Sequence, residues 1–178
     1  MRFENVECSP RLIYMHDSLP GHSQNSGQCL PNETDLFKER LEIANHQMRQ
    51  DLEVITRSDP SAIIIVAGDH GPYLTKNCTG TSSHYDTSEI DRLDVQDRFG
   101  TFLAIRWPTD NFEEYDNITV LQDIFPVMFA YLYDDSQFLT ATVAPETLSP
   151  WRIIGVSVSD GRISGGVHDG QLLFLSPP

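Results

Sequence analysis

Residues 61–72 read Ser-Ala-Ile-Ile-Ile-Val-Ala-Gly-Asp-His-Gly-Pro. The apolar run 62–67 ends at Gly68, and a carboxylate and an imidazole, Asp69 and His70, follow at once. A buried strand fixes the backbone up to its end, so the first loop residues after it are well placed to grip an ion. Carboxylate plus imidazole suits zinc, manganese or iron, and magnesium less well. A cation held there beside a phosphate or sulfate ester would draw charge from a nonbridging oxygen. Zinc is the first expectation, with manganese, magnesium or calcium as alternatives. A plainer reading stays open: Asp69 accepts a backbone amide bond from the turn, and His70 is simply polar.

Other histidines are candidates by position. His16 ends the short apolar run Leu12-Ile13-Tyr14-Met15. It could bind a leaving-group oxygen, hold the transferred group or ligate a second ion. His22 follows Pro20-Gly21 in the next loop and ranks below His16. His84 follows Ser82 and Ser83 and precedes Asp86 by two positions, where a lid could fold over the ion; the alternative is a solvent-facing loop histidine. His46 sits between Asn45 and Gln47 on a helical segment and reads as surface, and His168 beside Asp169 reads as structural or exposed. There is no Gly-x-Ser-x-Gly elbow and no phosphate-binding glycine loop.

The elements that must position these residues follow from periodicity and punctuation. Leu12–Met15 reads as a strand, and residues 17–31, rich in Gly, Pro, Ser, Asn and Gln, read as a loop. Asn32 with Asp35 marks a helix start, and Leu41, Ala44, Met48, Leu52 and Ile55 recur at helical spacing up to about Arg57. Ser58-Asp59-Pro60 ends that helix. The strand at 62–67 is apolar on both faces, as in a central strand of a parallel sheet covered by helices. Strand, helix, strand is a βαβ unit, and sites in open α/β sheets lie beyond the carboxyl ends of the strands. His16 and Asp69–His70 both fall at such ends.

Residues 71–98 read as a long polar loop, of the kind used for lids and binding segments. Gly100–Arg106 reads as a strand stopped by Trp107-Pro108, and Thr119 with Gln122 opens a helix to about Tyr131, with Pro126 predicting a kink or a late start. Residues 1–135 are expected to form one α/β domain. Residues 136–178 are expected to be a linker and a small β-rich tail, with strand candidates at 153–158 and 172–175 around a Gly-rich turn.

Composition narrows the function classes. The chain has 178 residues, enough for one domain with a real core. Twelve basic residues stand against 26 acidic ones, a formal charge of −14. Nucleic acid is therefore excluded as an expected partner, because phosphate contacts need a positive surface. An anionic small molecule remains compatible where a metal supplies the local positive charge. No run of apolar residues is long enough to span a membrane, and the first residues have no apolar signal core. The three cysteines, Cys8, Cys29 and Cys78, have no close metal-ligand spacing and leave the redox compartment open. Asn-x-Thr triplets begin at Asn32, Asn77 and Asn117; they matter only for a chain secreted in a eukaryote.

Taken in order, these segments resemble a sulfatase-like hydrolase of the alkaline phosphatase superfamily, nearest its phosphoethanolamine- and phosphoglycerol-transferase branch. The matching pieces are Tyr14-Met15-His16 leading to Leu19-Pro20, the helix at 33–57, Ile63 through Asp69-His70-Gly71-Pro72, Arg98-Phe99-Gly100 through Trp107-Pro108, and the helix near Asn117-Ile118-Thr119. The resemblance covers about residues 11–133. It implies a three-layer αβα sandwich with a mostly parallel sheet. It makes Asp69 and His70 ligands of the catalytic metal, His16 a residue contacting substrate or a second zinc, and His84 the loop histidine after the metal strand.

The resemblance further implies a small anionic ester, or a lipid- or glycan-linked phosphate or sulfate, as substrate, and an extracytoplasmic, membrane-anchored parent protein. Family enzymes take an acidic ligand and a Ser, Thr or modified Cys nucleophile from upstream, and the fifteen residues before His16 offer neither. Cys8-Ser9-Pro10-Arg11 is one residue short of the modified-cysteine motif. The expectation is therefore the C-terminal portion of a catalytic domain, completed by an upstream segment or a second chain. The alternative is a noncatalytic binding or structural domain of the same descent.

Overall fold

The computed structural model describes residues 11–23, 30–79, 85–141 and 155–175. Helix α1, Glu33–Ser58, begins and ends where the periodicity places it. Glu33 and Asp35 lie in its first turn and Arg57 in its last, each sign matched to the helix dipole. At its far end the Asp59 amide donates to Ile55 O before Pro60 stops the helix. Ala44 is buried, while Met48, Leu52 and Ile55 on the same stripe are half-buried.

Strand β1, Ile64–Ala67, pairs with strand β2, Leu103–Arg106, from Ile64 opposite Arg106 to Ala67 opposite Leu103. The pairing is antiparallel. This differs from the expected parallel sheet: among the described residues the sheets are two small antiparallel pairs in a mixed helix-and-strand chain. Nor does β1 have both faces covered, since Ile64 and Val66 are half-buried while Ile65 and Ala67 are exposed. Leu12–Met15 forms no strand. All four side chains are 70–83% exposed, so α1 is not the crossover of a βαβ unit here.

The segment between β1 and β2 holds helix α2, Arg92–Phe99. Asp91 and Asp94 form a reciprocal capping box at its start. Helix α3, Ile124–Tyr133, starts after a 3₁₀ turn, Leu121–Asp123. Pro126 falls within the first turn, where a missing N–H costs no helical bond, so the proline gives a late start rather than a kink. Inward residues of α3, Val127, Met128 and Ala130, pack with Trp107, Tyr115 and the half-buried Leu103 and Ile105 of β2.

A second core joins α2 to the tail. Ile90 and Val95 pack with Val156, Val158, Ile163 and Leu173. Strands β3, Ser157–Ser159, and β4, Arg162–Ser164, form a hairpin through Asp160-Gly161, both at positive φ. The expected strand at 153–158 is thus shorter and later within the described residues, positions 153 and 154 lying outside them. At 172–175 only Leu172 makes a bridge, to Arg162. Arg92 donates to Leu172 O and Gln171 Oε1, and Gln96 Nε2 donates to Leu173 O at 2.6 Å, so α2 holds the tail.

Candidate functional site

β1 delivers Asp69 and His70 to solvent just beyond its carboxyl end. The Gly68 amide continues the β1–β2 ladder by donating to Phe102 O at 2.9 Å, and Thr101 Oγ1 donates back to Gly68 O. The turn after Gly68 is therefore anchored before the two polar residues begin. Gly71 then lies against the end of α2. A Cβ there would sit 2.1 Å from Asp97 O, so no larger residue fits this approach.

His70 Nε2 lies 3.7 Å from Asp69 Oδ2. Zinc takes nitrogen at about 2.0–2.1 Å and oxygen at about 2.0–2.2 Å in tetrahedral geometry, which sets two donors on one ion about 3.4 Å apart. The pair is a few tenths of an ångström wider than that, a gap that a small side-chain rotation closes. Asp69 is 91% exposed and His70 36%, so the carboxylate is free to swing and the ring is partly held. His70 Nδ1 is 2.7 Å from Gly71 O. A carbonyl oxygen can only accept, so Nδ1 donates in this contact and the other ring nitrogen, Nε2, is the one beside Asp69.

Tyr73 holds the other side of the ring. The two rings stack at 4.6 Å with 12° between planes, and the Arg98 guanidinium lies 4.7 Å from the Tyr73 centroid. Tyr73 has φ +58, an unusual backbone for a bulky residue. The surrounding bonds impose it. Tyr73 N donates to Asp97 O at 3.4 Å, and Leu74 N and Thr75 N donate to the Asp97 carboxylate at 2.7 and 3.0 Å. Thr75 Oγ1 donates to the same carboxylate at 2.9 Å. Asp97 is buried, so these bonds are poorly replaced by water.

Next to them Lys76 Nζ donates to Asp94 Oδ2 at 3.0 Å. Burial pushes the Asp94 carboxyl up, but bonds from Thr75, Asp91 and Lys76 outweigh it and hold it below the usual range. The Asp94 bond raises Lys76 above the usual lysine value. The first part of the expected lid, residues 71–76, is thus stapled to α2 rather than loose.

Of the further histidines, His22 is the one whose ring lies near His70 among the described residues. His22 stands 5.9 Å from His70 and 5.8 Å from Tyr73, ring centre to ring centre. Its Nδ1 is 3.0 Å from Ser23 O, a contact in which the ring nitrogen donates. Ser23 N donates to Pro72 O at 2.9 Å and Arg40 Nη2 donates to His22 O at 2.8 Å, which tie this loop to the loop after β1 and to α1. No local pattern marks His22, because a long-range backbone bond brings it in. By contrast, no hydrogen bond or ring contact among the described residues joins His16, in an exposed coil, to Asp69, His70 or His22. His84 lies outside the described residues. His46 is exposed and its Nε2 is 3.2 Å from Gln50 Nε2; His168 Nδ1 is 3.2 Å from Gln171 Oε1, away from this cluster.

Among the described residues no three His, Cys, Asp or Glu side chains converge closely enough to hold an ion by themselves. Asp69 and His70 stand side by side, with the His22 ring 5.9 Å from the His70 ring. No protein-family model matches the chain, and neither a curated protein nor a solved structure matches it.

Proposed function

We propose that this chain supplies part of a divalent-metal site for hydrolysis or transfer of a phosphate, phosphodiester or sulfate ester. The observation that carries the reading is the Asp69–His70 pair at the end of β1, with His70 held by Gly71 O and Tyr73 so that Nε2 stands 3.7 Å from Asp69 Oδ2. Asp69 and His70 would hold the ion, zinc by the chemistry of the donors. A metal there supplies positive charge for a nonbridging ester oxygen. His22 faces the same space and suits hydrogen bonding to the oxyanion. His16 and His84 keep the roles that the sulfatase-like resemblance gives them, substrate contact and a loop over the site.

The remaining ligands and the nucleophile would come from outside the described residues or from a second chain. A fold of alkaline phosphatase type accommodates this. β1 has no partner on its second edge among the described residues, and β2 would be the antiparallel edge strand of an otherwise parallel sheet.

A second reading is a noncatalytic binding domain of the same descent. The absence of a third converging ligand among the described residues favours it. Zinc titration followed by calorimetry tests the first premise of both. Asp69→Asn and His70→Ala should each weaken zinc uptake by about tenfold or more, since even outer-shell partners of a metal are worth that much. Wild-type protein that takes up no zinc, manganese or magnesium overturns the metal reading. Zinc-dependent cleavage of chromogenic phosphate or sulfate esters separates the enzyme from the binding domain.

A further inference from the structure

We propose that Asn32 and Asn117 are N-glycosylation sites, modified as the chain enters an oxidising secretory lumen. The inference is independent of the metal reading. Both residues open Asn-x-Thr triplets without proline, Asn32-Glu33-Thr34 and Asn117-Ile118-Thr119. Triplets of this kind arise by chance, so their placement must discriminate. In each, the asparagine and the threonine are exposed while the middle residue is turned inward: Glu33 is buried and Ile118 half-buried. The fold therefore fixes the triplet by its centre and leaves the acceptor amide in solvent.

Asn32 is also the N-cap of α1, where an asparagine side chain commonly accepts a backbone amide bond. Here it makes no such bond. A sugar on its nitrogen displaces no capping contact, and the helix start stays as it is. Asn117 sits in the loop between two 3₁₀ turns, Glu113–Tyr115 and Leu121–Asp123, and a bulky group there meets no packed element.

The compartment follows from a separate observation. Cys78 is disulfide-bonded and wholly buried. Disulfides persist in secreted and lumenal proteins and are rare in the reducing cytosol. Among the compartments that make such a bond, the secretory lumen of a eukaryotic cell is the one that also uses such triplets. The reaction is group transfer without redox change. A lipid-diphosphate-linked oligosaccharide is the donor. The bond between the asparagine Nδ2 and sugar C1 forms, the C1–oxygen bond to the diphosphate breaks, and the lipid diphosphate leaves as one amide proton is lost to the transferase.

The test is secretion of the 178-residue chain from cultured insect or mammalian cells, with peptide mapping before and after peptide N-glycosidase. Asn32 and Asn117 should each convert to aspartate on enzyme treatment, and Asn32→Gln and Asn117→Gln should each lose one glycan step in intact mass. Thr34→Ala, which leaves the helix cap in place, should reproduce the loss at Asn32. Thiol alkylation of the secreted protein, unfolded without reductant so that burial no longer protects the thiol, should leave Cys78 unlabelled. An unmodified amide at either position in secreted protein overturns the proposal for that position. A freely alkylated Cys78 overturns the compartment on which both depend.

Discussion

Asp97 is the residue whose loss should most clearly separate the loop that carries Tyr73 from the helix that supports it. Its buried carboxylate accepts from Leu74 N, Thr75 N and Thr75 Oγ1. In Asp97→Ala the two backbone donors and the hydroxyl lose their partner in a partly buried place. A buried donor left unmade costs about 1–3 kcal/mol. Water reaches the loop in part, so about 1 kcal/mol per bond is the reasonable figure, or roughly 3 kcal/mol for three bonds that fail together. Asp97→Asn keeps one acceptor oxygen and should cost about half as much. For a chain of this size 1 kcal/mol moves Tm by about 2–4 °C. Asp97→Ala should then melt about 6–12 °C lower. Thr75→Val removes the hydroxyl bond alone and should cost about 1 kcal/mol. Urea melts followed by circular dichroism give the three values. Asp97→Ala within about 0.5 kcal/mol of wild type, the range of an ordinary surface change, would refute the argument, as would Asp97→Asn costing more than Asp97→Ala.

Three further outcomes are expected. Gly71→Ala places a Cβ 2.1 Å from Asp97 O and should destabilise by about 2–3 kcal/mol, read by the same melts; an unchanged midpoint would contradict the close approach. Tyr73→Ala should weaken zinc uptake while Tyr73→Phe leaves it unchanged, because the stacked ring and not the hydroxyl holds His70; equal effects in calorimetry would remove Tyr73 from that role. The Lys76–Asp94 pair should give stability a pH window. Asp94 is lowered from 3.8, so its contribution is present above that value and is lost as pH falls through the folded pKa; Lys76 is raised from 10.5, so its contribution is present below that value and is lost as pH rises through the folded pKa. The double variant Lys76→Met/Asp94→Leu should flatten both limbs of a stability–pH profile, and limbs that persist would assign them to other groups.

The sequence makes the local elements legible and the long-range ones not. The helix at 33–58 is visible because its apolar spacing and its proline stop are local properties. The same holds for the strands at 64–67 and 103–106 and for the proline-delayed start of α3. Partner choice is different. Nothing in Ile64–Ala67 states whether its neighbour runs parallel or antiparallel, and the apolar-on-both-faces pattern that suggests a parallel sheet is equally met by a strand with one open face. The hairpin at Asp160-Gly161 was within reach, since Asp-Gly between Val158 and Ile163 is a strong two-residue turn signal. In the site, Asp69 and His70 are adjacent in sequence and so could be paired at once. His22 and Tyr73 enter only through the Ser23–Pro72 and Asp97 bonds, which span long stretches of chain.

A single covering segment would account for both the exposed apolar surface and the missing ligands of the proposed metal site. Leu12, Ile13, Tyr14 and Met15 lie open, Ile65 is open on β1, and α3 turns Phe125, Phe129 and Leu132 outward at helical spacing. Large apolar side chains left open in such number fit a surface that another element covers. β1 still has a free edge among the described residues, and that edge ends at Asp69 and His70. A parallel strand laid along it would carry its own carboxyl end to the same mouth, where sites in α/β sheets form. Completing the sheet and completing the metal site would then be a single event. Zinc affinity and thermal stability should rise together when the covering segment is supplied. A segment that raised stability without changing zinc uptake would place the missing ligands elsewhere.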